Sequence, residues 1–125
     1  MRIVYIEDNA ELRASIGALM ESEGRVVTCC AAAEQALALD AQERFDLVVT
    51  DVSLPGLSGT DLARELLKDA PDRWIVLCTG YDLGPYPAQW GPHVHVLLKP
   101  FEIEDLESLL DDIQSQWSTS QQPRV

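Results

Sequence analysis

Two periodicities alternate along this chain. Short runs at 2–6, 26–30, 47–49, 74–78 and 94–98 are apolar and rich in β-branched or aromatic residues, the pattern of strands covered on both faces. Between them the apolar residues take helical spacing. Leu12, Ile16, Leu19 and Met20 follow a capping residue at Asp8 or Asn9 and run to Gly24. Ala33, Ala36 and Leu37 line one side of an Ala-rich stretch over 31–43, and Leu62, Leu66 and Leu67 follow a start at Ser58 or Thr60 and end at Pro71. Ile103, Leu106, Leu109, Leu110, Ile113 and Trp117 make the last and longest stripe, predicting a helix over 102–117. One segment resists. Residues 81–92 contain Gly84, Pro85, Pro87, Gly91 and Pro92, so a loop with at most a turn or two of helix is predicted there.

Five strands alternating with helices imply right-handed crossovers and a doubly wound parallel sheet, an α/β fold with helices on both faces. No repeat or linker divides the chain, so one domain is expected over 1–118, with a polar C-terminal tail over 119–125. At 125 residues, 46% apolar and 24% charged, the composition is that of a globular domain. No apolar run reaches the roughly 20 residues needed to cross a bilayer, and the first residues turn acidic too early for a signal peptide, so no membrane association and a cytoplasmic location are expected. The net charge of −12 leaves no basic stripe and argues against direct nucleic-acid binding. Cys29, Cys30 and Cys78 lie in apolar runs without CxxC spacing and read as buried free thiols. His93 and His95 lack a third ligand at matching spacing and read as structural.

Chemistry gathers where strands end. A parallel sheet would bring Glu7, Asp8, Asp51, Thr79 and Lys99 to one rim. Each has a bland reading: Glu7, Asp8 and Asp51 as capping or turn residues, Thr79 as a turn hydroxyl, Lys99 as a surface lysine. Together they are explained by one chemistry. Three carboxylates in one cleft repel unless a cation offsets them, and oxygen-only ligands favour Mg²⁺, which keeps waters and leaves room for phosphate oxygens. Asp51 then reads as a phosphoryl acceptor, with the metal, Thr79 and Lys99 stabilising charge on the transferred group.

The residues that carry this reading are Glu7-Asp8, the stretch from Asp51 through Pro55-Gly56 to Gly59, Thr79-Gly80 and Lys99-Pro100-Phe101. In that order they resemble the receiver domain of two-component response regulators over essentially the full chain. The resemblance implies a flavodoxin-like sheet of strand order 2-1-3-4-5 and Asp51 as the residue phosphorylated by a sensor histidine kinase or a histidine phosphotransfer protein. It also implies Mg²⁺, with Mn²⁺ as a substitute, held by Glu7, Asp8, Asp51 and the backbone carbonyl of Ser53. Thr79 would follow the phosphoryl group, Lys99 would pair with it, and the Lys99–Pro100 bond would be cis. The expected function is that of a single-domain regulator that relays phosphate or switches its contacts with a downstream protein, with no enzymatic activity beyond self-phosphotransfer and autodephosphorylation. One alternative is a receiver cut from a longer DNA-binding regulator or hybrid kinase. Another is a Mg²⁺-dependent phosphatase of the haloacid dehalogenase type, which needs a second Asp where Ser53 stands and a cap domain for which the chain has no room.

The pattern departs from the family in its readout. Receivers usually carry an aromatic residue three positions before the lysine; here it is Val96. The Pro/Gly-rich 81–92 segment replaces much of the fourth helix, part of the family's usual output and dimerisation face, so movement of that segment is expected to carry the signal. Ser53 and Tyr81 occupy positions that in receivers flank the path of the hydrolytic water, and a bulky Tyr81 predicts slow dephosphorylation. The acidic run Glu102, Glu104, Asp105, Glu107, Asp111 and Asp112 reads as a solvated face, with docking of a basic partner as the alternative. Trp90 and Trp117 read as core or as an apolar homodimer contact, and exchange of the C-terminal strand and helix between two protomers stays open.

Overall fold

The computed structural model describes residues 1–22 and 24–121. Its elements, in chain order, are β1 (Arg2–Ile6), α1 (Ala10–Met20), β2 (Val26–Cys30), α2 (Ala33–Gln42), β3 (Leu47–Asp51), α3 (Gly59–Asp69), β4 (Trp74–Thr79), α4 (Tyr86–Trp90), β5 (Val94–Leu98) and α5 (Ile103–Ser120). The strands form one parallel sheet of order β2-β1-β3-β4-β5, the predicted doubly wound α/β architecture with the flavodoxin-like strand order.

Period-two alternation divides the core into two layers. Val4, Ile6, Val48, Ile75 and Leu77 point to one side, where Ala33 and Ala36 of α2 and Leu62, Ala63, Leu66 and Leu67 of α3 cover them, with Trp90 of α4 packed alongside. Ile3, Tyr5, Leu47, Val49 and Val76 point to the other, beneath Met20 of α1 and Leu106, Leu110 and Ile113 of α5. The chain therefore changes face between β1 and β3. An open sheet forms its binding crevice at that switch, outside the carboxyl ends of the strands.

Three details differ from the sequence reading. Leu12 and Leu19 are 44% and 47% exposed, while Gly17 and Met20 are buried. Helix α1 turns its smallest residue inward, and a Cβ on Gly17 would lie 2.6 Å from the Cys29 sulfur. Cys29 is exposed rather than buried, because β2 is an edge strand; Cys30 and Cys78 are buried. Helix α5 runs three residues past Trp117, its last turn carried by hydroxyl bonds from Thr119 to the Ser115 carbonyl (3.0 Å) and from Ser120 to the Trp117 carbonyl (2.7 Å). The Pro/Gly-rich segment does hold only the five-residue α4. Among the described residues no helix is long and apolar enough to cross a membrane.

Candidate functional site

Asp51 closes β3, between β1 and β4, and is 8% exposed. Its backbone is fixed from several directions. The Thr50 hydroxyl donates to the Asp51 carbonyl (2.9 Å), Val52 N–H to the Cys78 carbonyl (2.9 Å), and Gly59 N–H to the Val52 carbonyl (3.0 Å). A Cβ at residue 59 would lie 2.1 Å from the Asp51 carbonyl oxygen, so only glycine lets the loop after β3 close against the strand end.

Glu7 and Asp8 leave β1 on the same rim. The Glu7 amide donates to the Cys30 carbonyl (3.0 Å), and Arg13 reaches back from α1 to donate to the Glu7 carbonyl (2.9 Å). Asn9 caps α1 by accepting from Leu12 N–H (3.0 Å). Glu7, Asp8 and Asp51 each offer a carboxylate oxygen, and these lie within 4.8 Å of one another; Glu7 and Asp51 are buried and Asp8 is exposed. Burial pushes the Glu7 carboxyl above the usual range, the Asp51 charge adds to the shift, and Lys99 opposes it.

Lys99 enters from the end of β5, where its amide donates to the Thr79 carbonyl (2.7 Å). Its ammonium donates to Asp51 Oδ1 at 2.7 Å. Burial disfavours that ammonium, yet the hydrogen bond to Asp51 and the nearby carboxylates outweigh it and raise its pKa above the usual lysine value. The Lys99–Pro100 peptide bond is cis. One cation thus faces three carboxylates, and Glu7 Oε2 is buried with no hydrogen-bond partner among the described residues. A buried, orphaned carboxylate oxygen beside two further carboxylates suits a hard divalent cation.

The structure brings Glu7, Asp8, Asp51 and Lys99 together. Thr79 ends the neighbouring β4 on the same rim and is buried. Its hydroxyl is engaged with Tyr81, donating to the carbonyl (3.1 Å) and accepting from the N–H (3.2 Å). Ser53 and Tyr81 are both exposed, Tyr81 at 56%. Val96 is exposed on β5, and His93 is stacked on Trp74 with ring centroids 3.6 Å apart. Trp90 and Trp117 pack against the two core layers. Beside Asp51 a cavity of about 390 Å³ opens between Leu12 and Ile16 of α1 and Phe101 and Ile103 before and in α5.

Sequence reasoning did not single out Arg13 or Glu34. Arg13 supports the acidic pair through a backbone carbonyl, which no spacing rule encodes. Glu34, in the first turn of α2, accepts from Leu57 N–H at 2.8 Å in the loop after Asp51. Its only signal is the Pro55-Gly56 turn, which needs an outside partner for its amides.

The family model for the response regulator receiver domain matches residues 3–111, and the chain belongs to that family. It is 33% identical over 119 residues to the two-component response regulator PhoP of Pseudomonas aeruginosa, covering 89% of this chain and 50% of that protein. It is 32% identical over 107 residues to the response regulator receiver protein CpdR of Brucella abortus, covering 84% of this chain and 89% of that one. The chain thus spans about half the length of PhoP and nine-tenths of CpdR. Among solved structures, the response regulatory domain of protein mrkE from Klebsiella pneumoniae superposes with a TM-score of 0.83 at 19% identity, covering 95% of this chain and 99% of that one. That likeness concerns the fold.

Proposed function

We propose that this protein is a phosphorylation-controlled interaction module of a two-component pathway. In the cytoplasm it takes a phosphoryl group onto Asp51 from the phosphohistidine of a sensor histidine kinase or histidine phosphotransfer protein. The observation that carries the reading is the convergence of the Glu7 and Asp8 carboxylates and the Lys99 ammonium on Asp51. A carboxylate oxygen of Asp51 attacks phosphorus, the P–N bond breaks, and its bonding pair returns to the imidazole nitrogen, which takes up a proton from solvent. The product is an acyl phosphate.

Glu7, Asp8, Asp51 and the Ser53 carbonyl would hold Mg²⁺ or Mn²⁺, and the ion, when bound, supplies electrostatic stabilisation of the phosphoryl oxygens. Lys99 already touches Asp51 and would follow the added oxygens. Thr79 would exchange its bonds to the Tyr81 backbone for one to the phosphoryl group, which frees the start of the 81–92 segment. That release supports a readout through this segment rather than through an aromatic at Val96. By the family resemblance Ser53 and Tyr81 flank the path of the hydrolytic water, and a bulky Tyr81 would slow its attack on the acyl phosphate.

The test is phosphotransfer profiling of the protein against candidate histidine kinases. Asp51 takes up label from its cognate kinase in the presence of Mg²⁺, and Asp51→Asn takes up none. Label on the Asn variant would overturn the assignment.

A further inference from the structure

The loop over 53–58 joins the acceptor strand to α3. At its inner end Gly59 is pressed against the Asp51 carbonyl. At its outer end, where Leu54 and Leu57 also pack against the core layer, the side-chain hydrogen bond from another element comes from the Glu34 carboxylate of α2. Glu34 Oε1 accepts from Leu57 N–H at 2.8 Å. It also lies against Gly56, whose φ is +76° and whose added Cβ would meet the same oxygen at 2.7 Å. The Leu57 bond holds the Glu34 carboxyl below the usual carboxylate range. The turn is thus closed from both sides, and the tied residue lies four positions after Ser53.

We infer that Glu34 is a positioning residue: its hydrogen bond to Leu57 holds the 53–58 loop so that the Ser53 carbonyl is preset toward the carboxylate cluster. This rests on the functional reading above. A carbonyl on an untied loop must be ordered when the cation binds, so losing the tie weakens cation binding. The transfer step itself is left alone, because Asp51 and Lys99 are anchored by their own strands.

Three proteins test it: wild type, Glu34→Ala and Glu34→Gln. The Gln amide keeps an acceptor oxygen and removes the charge. Amide exchange at Leu57, read without metal, speeds up about fivefold or more in Glu34→Ala and returns near the wild-type rate in Glu34→Gln. The Mg²⁺ dissociation constant, from titration of amide shifts, rises by a similar factor of roughly five in the Ala variant and is restored by Gln. The phosphorylation rate at saturating Mg²⁺ stays at the wild-type value in all three. Equal Mg²⁺ affinity in wild type and Glu34→Ala overturns the inference alone. A Gln variant as weak as Ala overturns it too, since charge rather than the hydrogen bond would then be at work. A wild type that binds no Mg²⁺ overturns the functional reading and this inference with it, whereas the Leu57 exchange rates would still report the tie.

Discussion

Asp40 and Arg73 lie at the end of the sheet remote from Asp51, and neither is noticeable in the sequence. The Arg73 guanidinium donates to both Asp40 oxygens, at 3.1 and 2.7 Å, and Phe45 N–H donates to Oδ1 at 2.9 Å. Arg73 is buried and Asp40 largely so, their side chains 6% and 12% exposed. Burial by itself would raise the Asp40 pKa, but the Arg73 and Phe45 bonds outweigh it and hold the carboxyl below its usual value. Removing one partner of a buried pair strands the other's charge, so Asp40→Asn is expected to lose about 3 kcal/mol in urea unfolding near neutral pH. A depressed carboxylate stabilises the fold above its unfolded pKa of about 3.9, and that contribution is lost as pH falls through the lower folded value. The gap between wild type and Asp40→Asn should therefore close below about pH 4. A gap that stays constant through that range would show that the ion pair is not its source.

Helices α1 and α4 show where hydrophobic spacing succeeds and fails. In α4, prolines and glycines announce a short element, and five residues cannot sustain a helix by themselves. It is held by Trp90 against the core and by the Arg64 guanidinium 5.7 Å above the Trp90 ring. Amides over 86–90 should therefore exchange far faster than those of β4, whose residues are all buried. Adding beryllofluoride, a phosphoryl analogue, should change exchange over 81–92 as Thr79 leaves Tyr81. Unchanged exchange there would sink the proposed readout. In α1, Met20 and Ile16 of the predicted stripe pack on the core while Leu12 and Leu19 turn to solvent. Contact of Gly17 with Cys29 on the neighbouring strand settles the rotation, and that contact depends on sheet packing rather than on any local preference.

The charge balance is unfavourable throughout the molecule: a net −12 on 125 residues, with a carboxylate cluster at the rim that Lys99 offsets only in part. A cation that binds the folded state alone stabilises it by mass action. Mg²⁺ at a hundred times its dissociation constant should add about 2.7 kcal/mol, a rise in Tm of roughly 10 °C for a domain of this size. Chelation should reverse the rise, and Asp51→Asn should show a smaller one in thermal unfolding. An equal rise with the same ionic strength of KCl would mean that screening of the net charge, not a bound ion, is responsible.

The five strands, the helices on both faces and the residue types on the rim were legible before any coordinates, because each is written locally; the strand order came only with the resemblance to receiver domains. A strand buried on both faces leaves a continuous apolar run, a crossover obeys one handedness, and a carboxylate, hydroxyl or lysine after each run marks what its end will carry. That Glu7, Asp8 and Asp51 converge within 4.8 Å, that Lys99 reaches Asp51 across 48 residues of chain, and that the Thr79 hydroxyl is held by Tyr81 were legible at most as a shared rim. Arg13 on the Glu7 carbonyl and Arg73 on Asp40 were not legible at all, and for Glu34 on Leu57 the Pro55-Gly56 turn showed only that some partner was needed. Each joins a side chain to a group brought near it by packing, two of them to backbone atoms that every residue possesses, so no residue type or spacing could have announced them.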